Sequence, residues 1–185
     1  MTLTSVKLTK RSSQLASRDV RWLHHRIDST FESHRTLWTQ RTPEHILVRH
    51  DRYRPGADMS WIASAGVIDD KRVNDGDQVT LRLIACPCKS IRTTAGKRGT
   101  RTPIPPGRDQ ITWAYDRISG AIDIENLTAS PLRTFFGYKS SGIVTIKRVQ
   151  YIVTGRIANA AEVNRMIDDG VGPDKAYGCG MVVVS

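Results

Sequence analysis

Hydrophobic and polar positions along this 185-residue chain alternate in some stretches and recur every three or four residues in others, which predicts a mixed α+β fold. In residues 3–9, Thr4, Val6 and Leu8 share one face, as in a half-buried strand. Ser12 and Ser13 then begin a polar connection. From about Asp19 to Trp38 the pattern turns helical, with Val20, Leu23, Ile27 and Phe31 at helical spacing. Ser17 is the expected N-cap, and Asp19 suits the first turn. Residues 45–50 and the run from Trp61 to Val67 read as strands. Asn74–Asp77 is a turn, and Gln78 to Ala85 alternates Val79, Leu81, Leu83 and Ala85 as a further strand.

The second half repeats this order. Gln110 to Ser119 is a short helix, and Ile143 to Ile157 reads as one long strand. Asn159 with Glu162 makes a capping box for a helix running to about Asp169 and stopped by Gly170. A glycine-rich loop follows, with Gly170, Gly172, Gly178 and Gly180 around Lys175, before a final apolar run from Met181 to Val184. Two readings of the loop are open. It is either a turn before the last strand, or a backbone cradle whose free N–H groups meet a phosphate. The halves divide at 1–88 and 89–185, where the composition changes.

Charge alters this picture more than composition does. A hydrophobic content of 39% with 25% charged residues is ordinary for a globular protein. Twenty-eight Lys and Arg against eighteen Asp and Glu leave a net charge of +10, the footprint of a polyanion-binding protein. The positive charge is also grouped. From Arg82 to Arg108 the basic residues are Arg82, Lys89, Arg92, Lys97, Arg98, Arg101 and Arg108, with no carboxylate among them. A second acid-free span, Asn126 to Ala161, carries Arg133, Lys139, Lys147, Arg148 and Arg156. Like charges without compensation repel one another and favour a polyanionic partner over a merely solvated surface. No apolar run approaches the roughly 18 residues of a membrane span, and no secretory signal follows the basic N-terminus. A cytoplasmic protein is expected.

Candidate chemistry is sparse. The three cysteines, Cys86, Cys88 and Cys179, are read as reduced thiols, since one Cys-Pro-Cys pair without a second pair falls short of a zinc-knuckle spacing. Neither a metal nor a cofactor is expected. All five histidines lie between residues 24 and 50, too scattered for metal ligation. On the first helix His24 falls at the edge of the apolar stripe beside Val20, Ile27 and Phe31. His25 lies about 100° further round, on the exposed side with Arg18 and Arg21. By spacing alone His24 reads as a core histidine.

Three blocks give the chain a resemblance to a known family. Arg18-Asp19-Val20-Arg21-Trp22-Leu23-His24 is similar to its Arg-Asp-Leu-x-x-Leu/Met-His run. Arg82-Leu83-Ile84-Ala85-Cys86-Pro87-Cys88-Lys89 followed by Gln110-Ile111-Thr112-Trp113 is similar to a second conserved block. Gly170-Val-Gly-Pro-Asp-Lys-Ala-Tyr-Gly-Cys-Gly180 is close to its glycine loop. In these blocks the chain resembles the CRISPR-associated endoribonucleases of the type I-E Cascade complex, which cut precursor CRISPR RNA within its repeats.

The resemblance implies tandem ferredoxin-like (RAMP/RRM-like) domains and metal-independent RNA cleavage, in which a 2′-OH attacks the adjacent phosphate and leaves a 2′,3′-cyclic phosphate. It places the catalytic histidine on His24, reversing the core reading, with Arg21 as electrostatic support. The expected RNA contacts are His25, Arg26, Arg82, Lys89, Arg92, Lys97, Arg98, Arg101, Arg108, Arg133, Lys139, Lys175 and the four loop glycines. Precursor CRISPR RNA repeat hairpins and other Cascade subunits are the implied partners. Where the family often has a tyrosine three residues before the histidine, this chain has Arg21, so a phenol is missing or comes from elsewhere. A non-catalytic RNA-binding subunit is the alternative. A DNA-binding regulator is disfavoured by the lack of a helix-turn-helix pattern.

Overall fold

The computed structural model describes residues 1–91, 100–140 and 142–185. In chain order its elements are β1 (Thr2–Leu8), α1 (Lys10–Arg18), α2 (Val20–Thr30), β2 (Phe31–Glu32), β3 (Leu37–Thr42), β4 (His45–His50), β5 (Arg52–Tyr53), β6 (Ile62–Ile68), β7 (Gln78–Ala85), β8 (Cys88–Ile91) and β9 (Thr100–Pro103). They continue as α3 (Arg108–Ile118), β10 (Ile122–Pro131), β11 (Phe135–Lys139), β12 (Gly142–Ile146), β13 (Val149–Ile157), α4 (Ala160–Asp169), a single 3₁₀ turn (Lys175–Tyr177) and β14 (Val182–Val184).

Two four-stranded antiparallel sheets organise the chain. The first has the order β3-β4-β1-β6 and the second β10-β13-β7-β14. Numbered within each half, both orders read 2-3-1-4, the arrangement of a ferredoxin-like fold. The second half has the full strand–helix–strand–strand–helix–strand sequence. In the first, the last strand, β6, follows with no described helix before it. The α+β, tandem ferredoxin-like expectation holds.

The boundary expected at 88/89 does not. Strand β7 pairs with both β13 and β14, so it is the first strand of the second half, and the sheets divide between Ile68 and Gln78. Charge composition changes after β7, but hydrogen-bonded register, which composition does not record, assigns the strand.

Local differences have equally physical causes. Residues 10–18 form a helix where a polar connection is expected, because Thr9 caps it (its side chain accepts from the Ser12 N–H) and its packed face is made of small residues, Ser12, Ser13 and Ala16. The next helix is capped by Asp19, whose carboxylate accepts from the Arg21 N–H, and not by Ser17. It ends at Thr30, and Leu37 and Trp38, read as helical, lie buried in β3. The long strand expected over 143–157 is broken at 147–148. Its first part pairs with β11 as a hairpin, and Arg148 turns inward over the Phe135 ring at 3.2 Å.

One buried residue joins the halves. Arg49 of β4 is 1% exposed and forms a two-pronged ion pair with Asp70, at 2.8 and 2.6 Å. It also donates to the carbonyls of Ile167, at the end of α4, and Val182 in β14, at 2.6 and 3.2 Å. A small apolar cluster of Leu3, Leu37, Leu47 and Met181 lies between the halves. Beside it opens a cleft of about 540 Å³ lined by residues of both halves, including Arg82 of β7 and Arg133 and Arg148 from the segments between strands.

Candidate active site

Helix α2 buries Val20, Leu23 and Ile27 and leaves His24 half-buried and His25 exposed, as its spacing predicts. Its N-terminal end is held against β11. The Asp19 carboxylate caps Arg21 at 2.9 Å, and the Arg21 guanidinium donates to the Tyr138 carbonyl at 2.6 Å. A Cβ at Gly137 would come within 2.8 Å of the Arg21 Cγ, so the glycine is what allows this close approach. Arg21 Nη2 also lies 3.5 Å from His25 Nε2.

The glycine-rich loop comes from the other end of the chain and lies across α2. It brings the Tyr177 ring edge-on to His24, with centroids 6.1 Å apart. The His25 ring is 5.4 Å from that of His24. Burial lowers the His24 pKa below its ordinary 6.5; the Asp28 carboxylate opposes this, while His25 and Arg21 add to it. The imidazole is therefore held neutral near pH 7, able to accept a proton and, once charged, to return it.

The loop itself corrects an expectation. Its glycines do not offer a row of free amides. Gly170, Gly178 and Gly180 donate within the protein, to the carbonyls of Met166, Lys175 and Ile84. The missing Cβ atoms make room for protein. A Cβ at Gly178 would meet the buried Trp38 ring at 2.7 Å, and one at Gly172 would meet Trp113 at 2.8 Å. Lys175 folds back to donate to the Gly172 carbonyl at 2.6 Å, and burial lowers its pKa. The loop is a packed platform that positions Tyr177, and Lys175 helps to close it.

Other expected contacts are dispersed. Arg26 is paired with Asp58 at 2.9 Å, and Lys89 with Asp109 at 2.7 Å. The Asp109 carboxylate lies one residue beyond the acid-free span, which is why the sequence hides the second pair. Arg82 and Arg133 line the cleft between the sheets, which is not lined by Arg21, His24 or His25. Arg101, Arg108 and Lys139 are exposed, on β9, at the start of α3 and at the end of β11. Arg92, Lys97 and Arg98 lie outside the described residues. The cysteines are free thiols, but they are not scattered: Cys86, Cys88 and Asp174 come together.

A sequence-family profile described as "CRISPR associated protein" matches residues 1–185. The chain belongs to this family. Among curated proteins none matches it significantly. Solved structures of the same fold include Cas6e from Escherichia coli K-12, with 23% identity, a TM-score of 0.74 and coverage of 100% of this chain and 99% of that one. Another is Thermus thermophilus Cse3 bound to an RNA representing a pre-cleavage complex, with 17% identity, a TM-score of 0.79 and coverage of 100% and 98%. A third is a chain of a CRISPR RNA-guided surveillance complex, with 20% identity, a TM-score of 0.70 and coverage of 100% and 99%. Among the described residues no helix is long and apolar enough to cross a membrane.

For this member of the CRISPR-associated family, sequence reasoning missed Tyr177 beside His24. The only signal was that Tyr177 is the one bulky side chain in the glycine loop. It also missed the exposed apolar side chains of the β11–β12 hairpin, Phe136, Tyr138 and Ile143. They lie on the hairpin that holds Arg21, and aromatic faces beside basic groups suit stacking with nucleic-acid bases.

Proposed function

We propose that the protein is a metal-independent endoribonuclease that cuts precursor CRISPR RNA at its repeat hairpin and keeps the product bound for a Cascade-type complex. The observation that carries this reading is the Tyr177 ring set edge-on to the half-buried His24 on a basic protein of the CRISPR-associated family. The resemblance of the fold to Cse3 bound to RNA and to a chain of an RNA-guided surveillance complex supports the substrate and the assembly.

In this reading the substrate 2′-OH gives its proton to His24 as its oxygen attacks the adjacent phosphorus. The P–O5′ bond breaks, the 5′-oxygen takes up a proton, and a 2′,3′-cyclic phosphate remains. Such acid–base assistance contributes roughly 10²–10⁴-fold. Charge accumulates on the non-bridging oxygens, where Arg21 and the Tyr177 O–H supply donors. In this reading the glycine loop supplies, through Tyr177, the phenol lacking three residues before His24, and the closeness of the two rings favours an enzyme over a non-catalytic subunit. A-form RNA hides its base edges in a deep groove, so Arg101, Arg108 and Lys139 would contact phosphates, with binding that weakens as salt rises.

The deciding experiment incubates the protein with a CRISPR repeat RNA in EDTA and analyses the product ends. Cleavage to a 2′,3′-cyclic phosphate is expected, and a requirement for added Mg²⁺ would overturn the mechanism. Tyr177→Phe is expected to lower the single-turnover cleavage rate about 10²–10³-fold with RNA affinity unchanged, as for the loss of one transition-state donor. An unchanged rate would reduce Tyr177 to a packing role.

A further inference from the structure

A cluster outside the nuclease chemistry lies where β7 ends and the glycine loop passes over it. The donor atoms of Cys86, Cys88 and Asp174 all lie within 4.8 Å of one another. The two sulfurs are 3.5 Å apart, far longer than the roughly 2.05 Å of a disulfide bond. Two thiolates on one tetrahedral zinc, at Zn–S distances of about 2.3 Å, stand about 3.8 Å apart, close to the separation found. Asp174 adds a second observation. It is the one non-glycine residue with positive φ among the described residues, φ 61 and ψ 31, a conformation that Asp and Asn adopt more readily than other side chains. This turn accompanies the approach of its carboxylate to the two thiols.

We propose that Cys86, Cys88 and Asp174 bind one zinc ion, which fastens the glycine-rich loop to the end of β7. Two thiolates and a carboxylate suit a borderline-soft divalent cation that accepts sulfur and oxygen donors without geometric preference. The fourth position is left to a water. Because Tyr177 follows Asp174 by three residues and packs against the apolar cluster that includes Cys86, the ion fixes the segment that carries the phenol to His24. The metal's role is to hold the loop, and the RNA chemistry takes place without it.

The test is a Co²⁺ titration of the full-length protein, purified under reducing conditions and stripped of metal. One equivalent is expected to bind, with the thiolate-to-cobalt charge-transfer band and intense visible bands of a tetrahedral site, and Zn²⁺ should displace it. Cys88→Ser and Asp174→Asn should each weaken binding about tenfold or more. Asparagine adopts positive φ readily, so Asp174→Asn keeps the loop backbone, and unchanged circular dichroism of both variants checks their fold. Octahedral cobalt spectra, absence of the charge-transfer band, or equal affinity in wild type and both variants would overturn the proposal. So would a Cys86–Cys88 disulfide in the reduced protein. None of these readouts uses RNA, so failure here leaves the nuclease reading to its own test.

Discussion

Replacing His24 with alanine is expected to slow cleavage of a repeat RNA by roughly 10²–10⁴-fold while RNA affinity changes little. The imidazole is half-buried at the edge of α2, so its loss removes the proton acceptor without opening a core cavity or removing a fixed positive charge. Single-turnover cleavage and a filter-binding isotherm on the same RNA separate the two effects. Undiminished cleavage would remove His24 from the mechanism. The pH profile gives an independent check. Burial, the largest influence, lowers the His24 pKa, so the neutral base survives below pH 6.5 and the rate falls only as pH drops through the depressed value. The Asp28 carboxylate raises that pKa. Asp28→Asn should therefore move the acidic limb to still lower pH, and an acidic limb at or above pH 6.5 in the wild type would contradict the environment described for His24.

The largest expected loss of stability is at Arg49. Arg49→Met keeps much of the side-chain volume but abandons the Asp70 carboxylate and the carbonyls of Ile167 and Val182. Asp70 is only 13% exposed on its side chain, so water compensates it poorly. Breaking a buried pair from one side costs about 3–5 kcal/mol, to be read from urea unfolding. Removing both charges, in Arg49→Met/Asp70→Leu, should recover part of that loss, because no uncompensated carboxylate remains. A single variant within about 1 kcal/mol of wild type would mean that water reaches this pair and that the junction between the halves does not depend on it.

Much of the fold is legible in the sequence where a pattern is local and one-sided. Val20, Leu23 and Ile27 mark α2 because a helix with one buried face must repeat in this way. Alternation marks β7, and Asn159 with Glu162 marks the start of α4, where Asn159 accepts from the Glu162 N–H. Helix α1 is hidden because its buried face is made of serines and an alanine. The end of α2 is hidden because Leu37 and Trp38 are apolar in either a helix or a strand. The site is legible in part. The resemblance singles out His24, but half of the expected grip on RNA rests on charge counting, which does not show that Lys89 and Arg26 have carboxylate partners.

By itself the sequence determined the α+β class, the positions of α2, α3, α4 and several strands, the basic character and, through its three blocks, the family. These follow from residue type and near-neighbour spacing, which act within a few residues along the chain. Only the tertiary structure decided which strand joins which sheet, that Gly178 and Gly172 make room for Trp38 and Trp113, and that Tyr177 meets His24. It also decided that Cys86 and Cys88 meet Asp174. These facts depend on contacts between segments far apart in sequence, made by sheet register and close packing, and spacing along the chain carries no record of them.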